Sequence, residues 1–241
     1  NASATAIGAT QIVLALKNRD KLTDKVKKLY PDFKFVHLPN RYPAGAEKLI
    51  LEKLTGTIPP AGVRPQQLGY LVQNVTSLRA IGRALLDGVP VVERPLTLAM
   101  PSTGFYRNII SPIGLSVRDL INNYDLPYDP QQHLIVSSGL MMGYEISPDD
   151  LIKKTTLSLL LINRNNEKKS ARPCIRCGAC HTSCPLGLHP FSLTECIQKE
   201  KTDSTSFKAQ IEECFLCGVC SAVCPSDIPL VQQLQKGKVC L

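Results

Sequence analysis

The first 173 residues contain no cysteine, and the remaining 68 contain all ten. A secreted disulfide scaffold would spread its cysteines through the fold, so that class is excluded, and a reducing compartment is expected. No apolar run approaches the roughly 18 residues a membrane span needs. The chain starts at Asn1, and no charged-then-apolar leader follows. The expectation is a fragment or processed product, truncated at its amino end, and not a secreted precursor. Neither hydrophobic residues (44%) nor charged ones (20%) are depleted, which excludes a disordered chain. At about 100–200 residues per domain, 241 residues allow one large domain or two to three small ones.

Charge is uneven. From Cys174 onward, six basic residues meet six acidic ones, whereas residues 1–173 hold 22 basic and 14 acidic groups and so carry the whole net charge of +8. Between residues 153 and 172, Lys153, Lys154, Arg164, Lys168, Lys169 and Arg172 meet only Glu167. Nucleic-acid binding through this stretch would need aromatics interleaved with the basic groups, and there are none. A solvated linker, or a docking face for an acidic electron donor or anionic lipid, fits better.

Residues 10–17 and 33–38 read as strands around a helix at 20–29, with Leu22, Val26 and Leu29 on one face. This β-α-β unit is a building block of parallel sheets. The pattern then predicts a helix over 46–54, a loop at 59–65, a third strand at 69–73 and a helix at 77–86 whose apolar side carries Leu78, Ile81, Leu85 and Leu86. After Gly88 the texture changes to strands at 91–100, 105–110, 134–137 and 155–162 with one short helix at 117–123. Residues 163–173 lack large apolar groups and read as a linker.

Two cysteine runs close the chain: Cys174, Cys177, Cys180, Cys184, then Pro185; and Cys214, Cys217, Cys220, Cys224, then Pro225. Each has the C-x2-C-x2-C-x3-C-P spacing of two-cluster ferredoxins, in which the fourth cysteine of each run ligates the other cluster. The first [4Fe-4S] cluster is therefore assigned to Cys174, Cys177, Cys180 and Cys224, and the second to Cys214, Cys217, Cys220 and Cys184. Pro185 and Pro225 turn the chain away after the last ligand. Gly178 and Gly218 stand where backbone must approach a bulky group. Ile175, Leu216 and Val219 are candidates to shield the clusters. The competing reading is structural zinc, which uses two C-x2-C pairs around one ion and fits two tandem runs of four poorly. Cys196 and Cys240 fall outside both runs and read as a buried and a tail thiol. His181 and His189 are either surface histidines or hydrogen-bond partners of a cluster sulfur.

The stretches PCIRCGACHTSCPLGLHP from Pro173 and CFLCGVCSAVCPSDIPLVQ from Cys214 closely resemble the C subunit of the Rnf (Rsx) electron transport complex. RYPAGAEKLILEKLTG from Arg41, LVQNVTSLRAIGRALLDGVPVVERPLTL from Leu71 and SSGLMMG at 137–143 resemble three further segments of that family in the same order. The resemblance runs from Phe35 to Gln232, roughly four-fifths of the chain. It implies a multidomain α/β plus α+β protein. A partial Rossmann-like flavin and NADH domain would occupy 1–90, and an SLBB-like domain of β-grasp type 91–162. A linker at 163–173 would lead to a two-[4Fe-4S] ferredoxin domain at 174–241.

The family resemblance also implies a function. It is that of an electron-transfer subunit of an ion-translocating ferredoxin:NAD oxidoreductase, peripheral on the cytoplasmic face of the inner membrane. Its partners would be other membrane and iron–sulfur subunits, a ferredoxin-like carrier and NADH. Carried over residue by residue, Tyr42, Gly45, Glu47, Asn74 and Ser77 become candidate flavin contacts, with no catalytic acid, base or nucleophile required. The bland alternative is that Gly45 makes a turn and Glu47 is a first-turn helix acid. The family's glycine-rich flavin-phosphate loop has no counterpart in residues 1–40, so FMN would bind only if that loop were supplied. Thr76 stands where the family has glycine, and Ser137–Ser138 replace a Gly-Gly pair. A soluble cobalamin-reductase-like iron–sulfur flavoprotein shares the same modular order and is the alternative function.

Overall fold

A computed structural model describes residues 5, 7–17, 20–164 and 170–239, apart from the side chains of residues 20–22. Leu22 of the expected helix face, Lys168 and Lys169 of the basic stretch, and Cys240 thus lie outside the described residues. The chain divides into two compact units. One comprises Asn1–Leu78, His181–Phe215 and Gln232–Leu241; the other comprises Arg79–Cys180 and Leu216–Val231.

In the first unit, β1 (Val13–Lys17) pairs in parallel with β2 (Lys34–Leu38), joined by α1 (Asp20–Leu29). Parallel neighbours need such a crossover, because a tight turn cannot reverse the chain twice. Val36, Leu38 and Ala44 form the small core beneath them, with Val13, Ala15, Ile50 and Leu54 packed against it. Helix α2 (Glu47–Thr55) ends at Gly56, whose φ of 81° lets its N–H return to Glu52 O.

The expected third strand does not form. Gly69 closes a 3-10 turn at Pro65–Leu68, and Tyr70 N–H bonds back to Pro65 O. A few residues later the Asn74 side chain accepts from the Thr76 N–H at 2.9 Å and so caps the start of α3 (Val75–Asp87). Too few residues remain between the two caps for a paired strand, and 70–74 is irregular. Within α3, the predicted apolar side stands in solvent: Leu78, Ile81, Leu85 and Leu86 are all exposed.

The second unit centres on a five-stranded mixed sheet. Its strands are β3 (Glu93–Met100), β4 (Phe105–Pro112), β5 (His133–Ser137), β6 (Tyr144–Ile146) and β7 (Ser158–Asn163), in the order β4-β3-β7-β5-β6. Only β3 and β7 pair in parallel. Strand periodicity puts Leu96, Leu98 and Met100 of β3 on one face, with Ile135 of β5 and Leu159 and Leu161 of β7. Helix α4 (Val117–Asn123) covers that face with Val117, Leu120 and Ile121, all buried. Each such side chain contributes about 1.5–3 kcal/mol when withdrawn from water. The Ser116 hydroxyl fixes where α4 begins by accepting from the Asp119 N–H at 3.0 Å. Glu93, at the start of β3, accepts from Arg79 and Arg83 of α3.

The carboxyl-terminal third adds α5 (Ala179–Thr182), α6 (Pro190–Gln198), α7 (Thr205–Glu213), α8 (Val219–Ala222) and α9 (Leu230–Val239). The Ser204 hydroxyl caps α7. Gly237 of α9 packs so closely on Ile197 and Ile211 that a Cβ there would come within 2.4 Å of the Ile197 side chain. Among the described residues, no helix is long and apolar enough to cross a membrane.

Candidate functional site

The two cysteine runs are forty residues apart, and the backbone repeats with them. Arg176 and Leu216, each just before the second cysteine of its run, take left-handed φ values of 56° and 55°. Gly178 and Gly218, just after it, take 75° and 83°. Gly187 and Asp227, three residues beyond the fourth cysteine, take 63° and 54°. The hydrogen bonds repeat too. Cys184 N–H reaches His181 O at 3.0 Å and Cys224 N–H reaches Ser221 O at 3.2 Å. Gly187 N–H reaches Cys184 O and Asp227 N–H reaches Cys224 O, both at 3.1 Å. A short helix, α5 or α8, carries the third cysteine of each run, and a longer one, α6 or α9, begins six residues after the fourth.

Left-handed backbone at Arg176 and Leu216 costs about 1–2 kcal/mol per residue for side chains with a Cβ. The same unfavourable conformation at equivalent places in both runs points to a ligand that the loop must wrap. An N–H aimed at sulfur accompanies it: Arg176 N–H donates to Cys174 Sγ at 3.3 Å. Such bonds stabilise a thiolate and tune what it ligates. Among the described residues, no group of three or more His, Cys, Asp or Glu side chains gathers as a single metal ion requires. A tetrahedral zinc would draw four donors around one point, whereas a cubane spreads them one to each iron. Two runs of four thiols, each carried on a loop with the same left-handed positions, fit cubanes.

Within the second unit, the residues before Cys174 are tied to those after Cys224. Arg172 N–H donates to Ser226 O at 2.9 Å, and the Ser226 hydroxyl donates to Pro173 O at 3.0 Å. The Arg172 guanidinium reaches Pro225 O at 2.5 Å and stands 3.8 Å from the Asp227 carboxylate. These ties join the residues just before the first run to those just after the second. In the same unit, Gly218 lies so close to the turn at 137–143 that a Cβ would meet Met141 O at 2.6 Å. That turn is itself tight, since a Cβ on Gly143 would come within 2.0 Å of Gly139 O.

The remaining candidates sit as follows. Ile175 is 68% exposed, and His189 is a surface histidine. His181 and His189 stack on each other with centroids 3.9 Å apart, and His181 Nδ1 lies 2.8 Å from Leu188 O, so this ring nitrogen is turned to backbone. Tyr42, Gly45, Glu47, Asn74 and Ser77 are all exposed. The Asn74 carboxamide oxygen is already shared between the Thr76 N–H and hydroxyl. Sequence reasoning missed the pairing of Lys48 with Glu213 at 2.5 Å in the first unit. The only signal for it was an acid at the carboxyl end of a helix.

Residues 1–83 match a family model described as the Nuo51 FMN-binding domain, and residues 173–228 match one described as a 4Fe-4S dicluster domain. The chain is 35% identical over 188 residues to the C subunit of the proton-translocating ferredoxin:NAD(+) oxidoreductase complex of Clostridium ljungdahlii, covering 76% of this chain and 41% of that protein. It is 35% identical over 205 residues to the C subunit of the ion-translocating oxidoreductase complex of Pasteurella multocida, covering 83% of this chain and 24% of that protein. For the corresponding protein of Buchnera aphidicola the figures are 34% over 206 residues, 83% and 42%. The chain thus spans less than half the length of the curated relatives it matches. With both dicluster runs, the tie between Pro173 and Ser226, and a match across most of its length, the chain belongs to the family of C subunits of the ion-translocating (Rnf) oxidoreductase complexes.

Proposed function

We propose that this chain carries electrons through two [4Fe-4S] clusters within a membrane-associated ion-translocating ferredoxin:NAD oxidoreductase. The observation that supports the reading is the doubled cysteine loop, with its repeated left-handed positions and the hydrogen bonds that join Arg172 and Pro173 to Ser226. The first cluster takes Cys174, Cys177, Cys180 and Cys224; the second takes Cys214, Cys217, Cys220 and Cys184. When bound, the cubanes supply one-electron transfer and FMN supplies the exchange between a hydride and single electrons. The protein's part is to hold the thiolates, to aim N–H groups such as that of Arg176 at them, and to set how much water reaches them.

Residues 1–90 form part of a Rossmann-like flavin and NADH domain, 91–162 an SLBB-like β-grasp domain, and 174–241 a ferredoxin domain behind the linker. Tyr42, Gly45, Glu47, Asn74 and Ser77 face the flavin. Their exposure and the absence of a glycine-rich phosphate loop in residues 1–40 fit a partial site, completed by other protein segments. The protein sits peripherally on the cytoplasmic face of the inner membrane. It meets NADH, a ferredoxin-like carrier and neighbouring membrane and iron–sulfur subunits.

Anaerobically prepared chain should hold about eight iron and eight acid-labile sulfide per polypeptide and give paramagnetic resonance after dithionite. Supplied with a complete flavin site, its clusters should be reduced by NADH. Stoichiometric zinc without sulfide would overturn the assignment.

A further inference from the structure

Helix α7 ends on Glu212 and Glu213, and Cys214 is its C-cap. A carboxylate at that end meets the negative pole of the helix, where a cation would be favoured. Within α7 no basic residue occupies the last turn, and the cations that meet this end come from elsewhere, Lys238 of α9 on the Glu212 carbonyl and Lys48 of α2 on Glu213. Glu213 is held there by partners from the amino-terminal segment of the same unit. Its Oε2 lies 2.5 Å from the Lys48 Nζ of α2, and its Oε1 accepts from the Ala61 N–H at 2.6 Å. Both oxygens are thus committed, one to a helix and one to the loop that follows it. Neither side chain of the ion pair is far into solvent, with 22% of Lys48 and 29% of Glu213 exposed. Charge-assisted hydrogen bonds of this kind are stronger than neutral ones, and partial burial limits their screening. Lys48 directly follows Glu47, one of the residues assigned above to the flavin side.

We propose that Glu213 is a positioning residue. It clamps Cys214 to the amino-terminal segment and, balanced by Lys48, holds the local charge at the second cluster near zero. This rests on the two-cluster reading given above. The physical consequence is a pair of opposite shifts. Removing the carboxylate leaves an uncompensated cation one residue from a cluster ligand, which favours the reduced cluster. Removing the ammonium leaves an uncompensated anion and disfavours it.

The test is a redox titration of the full chain, followed by paramagnetic resonance, for Glu213→Gln, Lys48→Met and the swap Lys48→Glu with Glu213→Lys. Glu212→Gln is the control, since Glu212 contributes its backbone carbonyl, which accepts from the Lys238 ammonium at 3.1 Å. Glu213→Gln should raise one of the two reduction steps by about threefold in its equilibrium, close to 28 mV at 59 mV per tenfold for one electron. Lys48→Met should lower the same step, the swap should return it towards the parent value, and the control should move it least. Amide exchange at Ala61 should quicken in Glu213→Ala whether or not clusters are loaded, which separates the clamp from cluster assembly. Two intact clusters with unmoved or same-direction potentials, or an unchanged Ala61 amide, would overturn the clamp and leave the two-cluster reading standing. A parent chain without iron and sulfide would overturn both.

Discussion

The two cysteine runs repeat one backbone in different surroundings. The glycine after the second cysteine is left-handed in both, but Gly178 has open space where a Cβ would go, and Gly218 has Met141 O. The second cysteine of the first run, Cys177, is exposed, whereas the third of the second run, Cys220, is buried. The left-handed residue after the fourth cysteine is Gly187 in one run and Asp227 in the other. The shared features are those a cubane demands of its loop. The features that differ are supplied by whatever packs on each loop, here the turn at 137–143 for Gly218. Cluster potentials respond to hydration and hydrogen bonding at the sulfurs, so equal ligands in unequal surroundings are expected to set different potentials.

The strongest way to break that comparison is to make the glycines unequal. Alanine at either position meets the left-handed penalty of about 1–2 kcal/mol. Gly218→Ala must in addition displace the Met141 carbonyl, an overlap of the kind that costs about 1–3 kcal/mol more. Gly218→Ala should therefore lower the melting temperature well beyond Gly178→Ala and release iron faster under chelator challenge. Equal losses in the two variants would mean that the turn at 137–143 does not support the second loop.

A smaller effect is expected from the tie between the runs. Ser226→Ala removes the hydroxyl that donates to Pro173 O and leaves the Arg172 N–H bond to the residue 226 carbonyl in place. A buried hydrogen bond of this type contributes about 0.5–1.5 kcal/mol. The loss should appear as a modest drop in thermal stability and a faster loss of the cluster assigned to Cys174 and Cys224, read from the decay of its paramagnetic signal after exposure to air and reduction. If both clusters decay at parental rates, the tie does not hold the shared ligand in place.

What was legible in the sequence follows the same division. Helix α4 could be read to the residue because Ser116 caps it and Val117, Leu120 and Ile121 fall on one face. The dicluster domain was legible because the spacing of its cysteines is fixed by the kind of cluster such domains wrap. Of the six left-handed positions in the two runs, only Gly178 and Gly218 were singled out in the sequence, and Gly187 emerged from the structure. Arg176, Leu216 and Asp227 take that conformation against their own preference, under a constraint no local propensity encodes. Strand β6, only three residues long, offered too little alternation to be found. Residues 69–73 looked like a strand because they are apolar, but the caps at Gly69 and Asn74 claim the backbone on either side. The Lys48–Glu213 pair joins residues 165 apart, a separation at which sequence pattern is silent.

The smallest expected effect belongs to Glu93. Its carboxyl is held below the ordinary carboxylate value of 4.5, chiefly by the hydrogen bond from Arg79; desolvation opposes this, and Arg83 adds to it. A carboxyl depressed on folding stabilises the native state above its ordinary value, and that contribution is lost as pH falls through the folded value. Glu93→Gln should therefore melt slightly below the parent from neutral pH down to the ordinary carboxylate range, and the gap should close at more acid pH. Because a third of the Glu93 side chain (34%) remains exposed, added salt should narrow the gap at neutral pH as well. Comparing the two chains at each pH cancels any acid loss of clusters common to both. A gap that persisted unchanged into acid would show that the arginines recognise the side chain's shape and not its charge.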